Sequence, residues 1–177
     1  MKAIISTFST IALLLYSLSA SAIFMGGWTA DSGTGDGYVD ESNFPNSIML
    51  FGNDNGDEGV FTSYFTTIGQ DMNFSFDWIY GTTDTEGAAY DPFGYFINDE
   101  YTQLTDDDGN FLQMGSEMLS LLSSDLFGFY IDSTDGCCGE AGAYINPDYE
   151  VSVPEPSTLA LMGLGLLGFG LTRIRLK

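Results

Sequence analysis

Between Ile23 and Val153 the chain holds 24 of its 25 acidic residues and no Lys, Arg or His. That imbalance decides most of the chemistry open to it. Without histidine a Ser-His-Asp triad has no base, and zinc sites built on His lack their ligands. Phosphoryl transfer lacks its usual cationic clamp. The same surface repels nucleic acid, whose phosphates bind through Lys and Arg. Gly33, Gly35 and Gly37 fit neither the spacing nor the following helix of a dinucleotide loop. Carboxylates remain. A suitably separated pair can hydrolyse a glycosidic bond. Among 24 acids some pair always meets the distance, so the sequence singles none out, and no catalytic residue is assigned.

Three other groups of residues have types suited to binding. Asn53, Asp54, Asn55, Asp57 and Glu58 form one run of hard oxygen ligands, and Asp106, Asp107 and Asp108 another. Ca²⁺ prefers such oxygens, although neither run has the spacing or terminal Glu of a twelve-residue EF-hand loop. Each run reads either as a Ca²⁺ site or as a solvated acidic turn. Cys137 and Cys138 are adjacent, and neighbouring Cα atoms sit about 3.8 Å apart, below the usual disulfide range. A strained vicinal disulfide, an intermolecular bridge and free thiols all stay open. A catalytic thiolate has no basic neighbour to lower its pKa. Trp28, Tyr38, Tyr80 and Tyr90 lie in or beside Gly-rich segments, where such rings either stack on sugars or pack the core.

The elements that must position these groups read as β. Glycine and Asp/Asn clusters punctuate 23–152 every 8–12 residues or so, the rhythm of a sandwich or barrel. The clearest strand is 71–80: Met72, Phe74, Phe76 and Trp78 fall on one face, and Asp71, Asn73, Ser75 and Asp77 on the other. Residues 125–132 repeat the pattern with Phe127, Phe129 and Ile131. Further strands are expected at 47–51, 60–68, 93–97, 101–104 and 143–145. Residues 114–122 suit either a strand or one or two helical turns. Aromatic residues are 15% of the chain, which favours a packed domain over a disordered acidic one. The expected fold is all-β: an antiparallel, jelly-roll-like β-sandwich, flanked by an N-terminal signal helix and a C-terminal single transmembrane helix.

Those flanks occupy the two ends. Lys2 is a minimal positive region before an apolar stretch, and Ala20-Ser21-Ala22 is a small-x-small cleavage site, so 1–22 reads as a signal peptide with Ile23 as the mature terminus. Residues 153–177 have three parts: Val153-Pro154-Glu155-Pro156, an apolar run from Leu159 to Leu171, and the basic residues Arg173, Arg175 and Lys177. Positive charge after an apolar run stays in the cytoplasm, which leaves the preceding domain outside. The run is shorter than the roughly 20 residues of a stable span, as suits a transient stop-transfer segment.

This order of parts closely resembles the PEP-CTERM sorting signal of Gram-negative bacteria. The resemblance implies recognition by an exosortase, a membrane-embedded cysteine protease that cleaves near Pro154-Glu155-Pro156. A Leu-Pro-x-Thr-Gly sortase motif is absent, and a GPI signal lacks the basic cap. Phe76-Asp77-Trp78, Asp91-Pro92-Phe93-Gly94-Tyr95 and Gln103-Leu104-Thr105 more loosely resemble small β-sandwich ectodomains of PEP-CTERM proteins.

The expected organisation is therefore a signal peptide (1–22), an acidic ectodomain (23–152) and a sorting signal (153–177). The expected partners are signal peptidase, exosortase, the inner membrane transiently, and exopolysaccharide; nucleic acid is not one. The expected destination is the cell surface or extracellular matrix of a biofilm-forming cell. The function reads as a non-enzymatic surface or matrix protein, with a carbohydrate-binding module, Ca²⁺-dependent or not, as the alternative.

Overall fold

A computed structural model describes residues 27–148. The predicted signal helix and transmembrane helix lie outside them, as do Ala20, Ala22, Val153, Pro154, Glu155, Pro156, Arg173, Arg175 and Lys177. Among the described residues there is no helix. Ten strands follow in order: β1 (Thr29–Asp31), β2 (Tyr38–Asp40), β3 (Ile48–Phe51), β4 (Val60–Thr67), β5 (Met72–Thr82), β6 (Phe93–Ile97), β7 (Glu100–Gln103), β8 (Leu112–Leu121), β9 (Leu126–Ser133) and β10 (Ala141–Asp148).

The strands form two five-stranded antiparallel sheets, ordered β1-β4-β9-β6-β7 and β2-β3-β10-β5-β8. Within β3–β10 the orders 4-9-6-7 and 3-10-5-8 are those of a jelly roll, in which the chain crosses between sheets at nearly every connection. The β6–β7 hairpin stays within one sheet. Its Asn98 takes φ 57°, a conformation that asparagine tolerates in a two-residue turn.

Alternation fixes which face each strand buries. Met72, Phe74, Phe76, Trp78 and Tyr80 of β5 point inward. They meet Phe127, Phe129 and Ile131 of β9 from the opposite sheet, with Leu50, Phe93 and Ile145 completing the core. Residues 114–122 settle as a strand because β8 pairs with β5 over ten positions, from Met72↔Leu121 to Gly81↔Leu112. Its helix-like spacing of Met114, Met118 and Leu122 reflects an exposed face instead. Glu117 stands opposite Phe76 on the inner side of this edge strand, a charge that discourages further strands from docking there.

The register brings five connections to one end of the sandwich. Phe51 and Thr82 lie beside the start of β10, Ser133 beside the start of β4, and Leu112 beside Gly81. Loops 32–37, 52–59, 83–92, 104–111 and 134–140 therefore crowd together there, and they carry 12 of the 25 acidic residues.

Candidate functional site

The outer face of the β4-β9-β6-β7 sheet is built from rings. Phe61 and Phe65 of β4, Tyr130 of β9, Phe96 of β6 and Tyr101 of β7 project from it in neighbouring rows. Tyr101 packs against Phe96 at 5.3 Å between ring centroids, against Tyr130 at 5.3 Å edge-on, and against Phe61 at 5.9 Å. Two strand glycines make the floor. A Cβ at Gly128 would sit 2.6 Å from the Phe65 Cβ and 2.7 Å from the Phe96 ring; one at Gly94 would meet the Tyr130 ring at 2.8 Å. A larger residue at Gly128 would lift the rings off the sheet, and one at Gly94 would first strike the Thr102 carbonyl of β7 at 2.1 Å.

The result is a depression of about 320 Å³ with Asp31, Ser63 and Asp99 at its rim. Phe61 and Tyr101 stay 41% and 58% exposed, which is unusual for rings packed with so many others. Tyr130 is buried beneath them. Burial first, then the charge of Asp132 and the neighbouring Tyr101, push its hydroxyl up to about 12. Burial also raises the carboxyl of Asp132, the cross-strand partner of Phe61. The depression offers apolar ring faces beside hydroxyl and carboxylate acceptors.

The outer face of the other sheet differs. A groove of about 470 Å³ there is lined by Ser75, Asp77, Ser116, Met118, Asn146 and Asp148; the outward rings of this sheet, Tyr38 stacked on Phe51 and Tyr144, lie outside the groove. Of the rings singled out from sequence, Tyr80 is fully buried, and Trp28 stacks on Tyr64 at 4.6 Å against the core. Tyr38 is exposed and stacked on Phe51, and Tyr90 is exposed in loop 83–92. None of the four joins the ring-lined depression.

The predicted metal residues fall in two of the five crowded loops. Asn53 is buried, and its amide is occupied: Oδ1 accepts the Asp36 amide at 2.8 Å and Nδ2 donates to the Asp57 carbonyl at 2.8 Å. It ties loops together. Asn55 Oδ1 accepts the Asp57 amide, and Asp57 and Glu58 face solvent. Asp54 accepts the Gly139 amide at 3.3 Å and reaches the 134–140 loop. Asp106, Asp107 and Asp108 are exposed; Asp106 Oδ1 accepts the Asp108 amide, and Asp107 accepts a hydrogen bond from Gln103. Cys137 and Cys138 are bonded to each other, with Cα atoms 3.8 Å apart.

A family model of the PEP-CTERM protein-sorting motif matches residues 152–175. The chain carries this sorting signal. The match spans Pro154-Glu155-Pro156, Arg173 and Arg175 and is that of an exported exosortase substrate, placed at the cell surface or outside the cell. No curated protein matches the chain. Among solved structures, the chain is similar to a secreted serine protease, VesC, from Vibrio cholerae, at 10% identity and TM-score 0.40, over 68% of this chain and 28% of that one. It is similar to a family 35 carbohydrate-binding module from an environmental isolate, at 12% identity and TM-score 0.36, over 76% and 96% of the two chains. A family 35 module from Clostridium thermocellum aligns at 9% identity and TM-score 0.33, over 68% and 98%. The chain thus spans less than a third of VesC, and at these TM-scores the likenesses assign no ligand.

Crowded carboxylates give the β-sandwich domain a definite pH response. Burial first, then the charges of Asp84, Asp135 and Asp54, raise Asp91 from 3.8 to about 7. Burial and the charges of Asp36 and Asp54 raise Glu140. A carboxyl whose folded pKa exceeds its unfolded one binds protons more tightly when folded, so stability rises as pH falls through the folded value. Asp40 and Asp125 are lowered by hydrogen bonds; their contribution is lost only below about pH 4, near the unfolded carboxylate range. In chelator-containing buffer the urea midpoint should therefore be higher at pH 5.5 than at pH 7.5. The expected gain is on the order of 1–2 kcal/mol, solvent screening included. A midpoint that falls over this interval would show the carboxylates to be favourably paired.

Proposed function

We propose that the mature protein is a non-enzymatic component of the cell surface or extracellular matrix and that it holds neutral saccharide chains in the ring-lined depression. The motif at 152–175 supports the route: signal peptidase removes the N-terminal segment, and the tail holds the chain transiently in the inner membrane. Exosortase then cuts near Pro154-Glu155-Pro156. Exopolysaccharide is the partner such a destination offers.

The observation that carries the binding reading is the exposure of Phe61 and Tyr101 over a glycine floor. The C–H face of a pyranose covers an exposed ring as an apolar surface, and its hydroxyls donate to carboxylates such as Asp31 and Asp99 at the rim. Ring contacts of this sort contribute about 0.5–1.5 kcal/mol each beyond area burial. The charge selects the sugar. A domain with no cationic side chain between 23 and 153 repels uronates and sulfated chains and tolerates neutral ones.

A glycan array with the exported protein tests this reading. Neutral glycans should be retained and uronate-rich ones passed over. Tyr101→Ala combined with Phe61→Ala should weaken retention roughly tenfold or more, and a cooperative thermal melt of the double variant shows that the domain stays folded despite the lost contacts to Phe96 and Tyr130. Absence of any retained glycan, or equal retention by the double variant, would leave a surface protein without a saccharide site on this face.

A further inference from the structure

Two carboxylates lie buried where the crowded loops meet. Asp84 and Asp91, both in loop 83–92, are each 1% exposed. Asp84 Oδ1 accepts the Glu86 amide at 2.6 Å, but its Oδ2 is buried with no hydrogen-bond partner, and the same is true of Asp91 Oδ2. The other side of Asp91 is next to the Ser133 hydroxyl, and the charges of Asp84, Asp135 and Asp54 all act on it. Asp54 comes from loop 52–59 and Asp135 from loop 134–140, so the charges of three loops bear on Asp91, although among the described residues no three of these carboxylates lie within 4.8 Å of one another.

Burying a carboxylate without a partner costs several kcal/mol. Proteins ordinarily offset this with a proton, Arg, Lys or a metal ion. Here Arg and Lys do not exist anywhere between 23 and 153. The loops are nonetheless held tightly around the pair. Gly139 has φ 142°, and a Cβ there would lie 2.4 Å from the Asp84 amide nitrogen, so loop 134–140 presses directly on loop 83–92. The Cys137–Cys138 bond closes this loop just ahead of Gly139. Asp135 approaches both sulfurs, but the sulfurs are bonded to each other and supply no thiolate. The place therefore offers oxygen ligands alone.

We propose that Asp84 and Asp91, with Asp54 and Asp135 at the rim, form a divalent-cation site, and that Ca²⁺ is the ion. All-oxygen ligands drawn from irregular loops suit the flexible, high-coordination preference of Ca²⁺, whereas Mg²⁺ demands near-octahedral geometry and Zn²⁺ calls for nitrogen or sulfur. The ion neutralises the end of the domain with the most buried acid and fastens loops 52–59, 83–92 and 134–140 to one another. The site is remote in sequence from the ring-lined depression and stands whether or not that face binds saccharide.

The test is a set of thermal melts of the exported protein in EDTA, in millimolar CaCl₂, in MgCl₂, and in NaCl of matched ionic strength. Ca²⁺ should raise the melting temperature by about 5–10 °C once it stands some hundredfold above its Kd; matched NaCl should not. Asp84→Asn and Asp91→Asn should each abolish most of the Ca²⁺ shift. In EDTA each should melt no lower than the parent, because each removes an unpaired buried charge, so a lost response cannot be ascribed to misfolding. Asp107→Asn, in the exposed 104–111 turn at the same end, should keep the full response. Equal midpoints in EDTA and CaCl₂ would overturn the proposal. So would a shift that NaCl reproduces, or one that survives in both the Asp84 and Asp91 variants.

Discussion

Replacing Phe129 with alanine is expected to cost about 3–5 kcal/mol of folding stability. Phe129 is 1% exposed. Its ring meets Phe76 at 4.9 Å and Phe127 at 5.2 Å, both edge-on, and lies within 6.5 Å of Trp28, Phe74 and Phe93. It therefore bridges the two sheets at the centre of the sandwich. Deleting it removes transfer free energy, leaves a cavity that five rigid rings cannot close, and forfeits several ring contacts at once. No salt bridge in 23–153 can compensate, since the stretch has no cation. With total stabilities of about 5–15 kcal/mol typical of such domains, this loss leaves little margin. Urea melts check it. Phe111→Ala makes the comparison, because Phe111 is 56% exposed and its loss should change stability by under about 1 kcal/mol. Equal midpoints for the two variants would place the core elsewhere.

The second large effect concerns the tail. Substituting alanine for Pro154, Glu155 and Pro156 together should leave most of the protein in the membrane fraction. The proposed cut separates the ectodomain from the apolar run 159–171 and from Arg173, Arg175 and Lys177. A basic end of this kind resists translocation, so an uncut chain stays at the inner membrane. Fractionation and immunoblotting measure the effect, with at least a tenfold drop in released protein expected. Release at the parental level would show that these three residues are not what is recognised.

The strands were legible where alternation was strong. Met72, Phe74, Phe76 and Trp78 announced β5 because a half-buried strand has no other way to separate rings from Asn73 and Asp77. The sorting tail was legible because its three parts occur in fixed order. The ring-lined face was not, because Phe61, Tyr101 and Tyr130 sit in three strands whose neighbours are set by sheet order, a long-range property. A local trace existed: the aromatic-Gly-aromatic runs Phe93-Gly94-Tyr95 and Phe127-Gly128-Phe129, where a glycine inside a strand marks a surface that something else covers. The acidic loops were legible only in part. Asn53 to Glu58 has the ligand-rich composition of a metal loop, yet the Asn53 amide is spent on holding loops together. Asp84 and Asp91 look like ordinary turn acids in sequence; their burial comes from long-range packing, with Gly139 of loop 134–140 pressed on Asp84 and Ser133 of β9 beside Asp91.

Export and trimming at both ends underlie every role proposed for the protein, and intact mass spectrometry of the protein recovered outside the cell tests them directly. The predicted mass is that of a chain beginning near Ile23 and ending near Pro154-Glu155-Pro156, less two hydrogens for the Cys137–Cys138 bond. A recovered form that still carries Arg173, Arg175 and Lys177 would contradict it and leave the C-terminal segment as a plain membrane anchor.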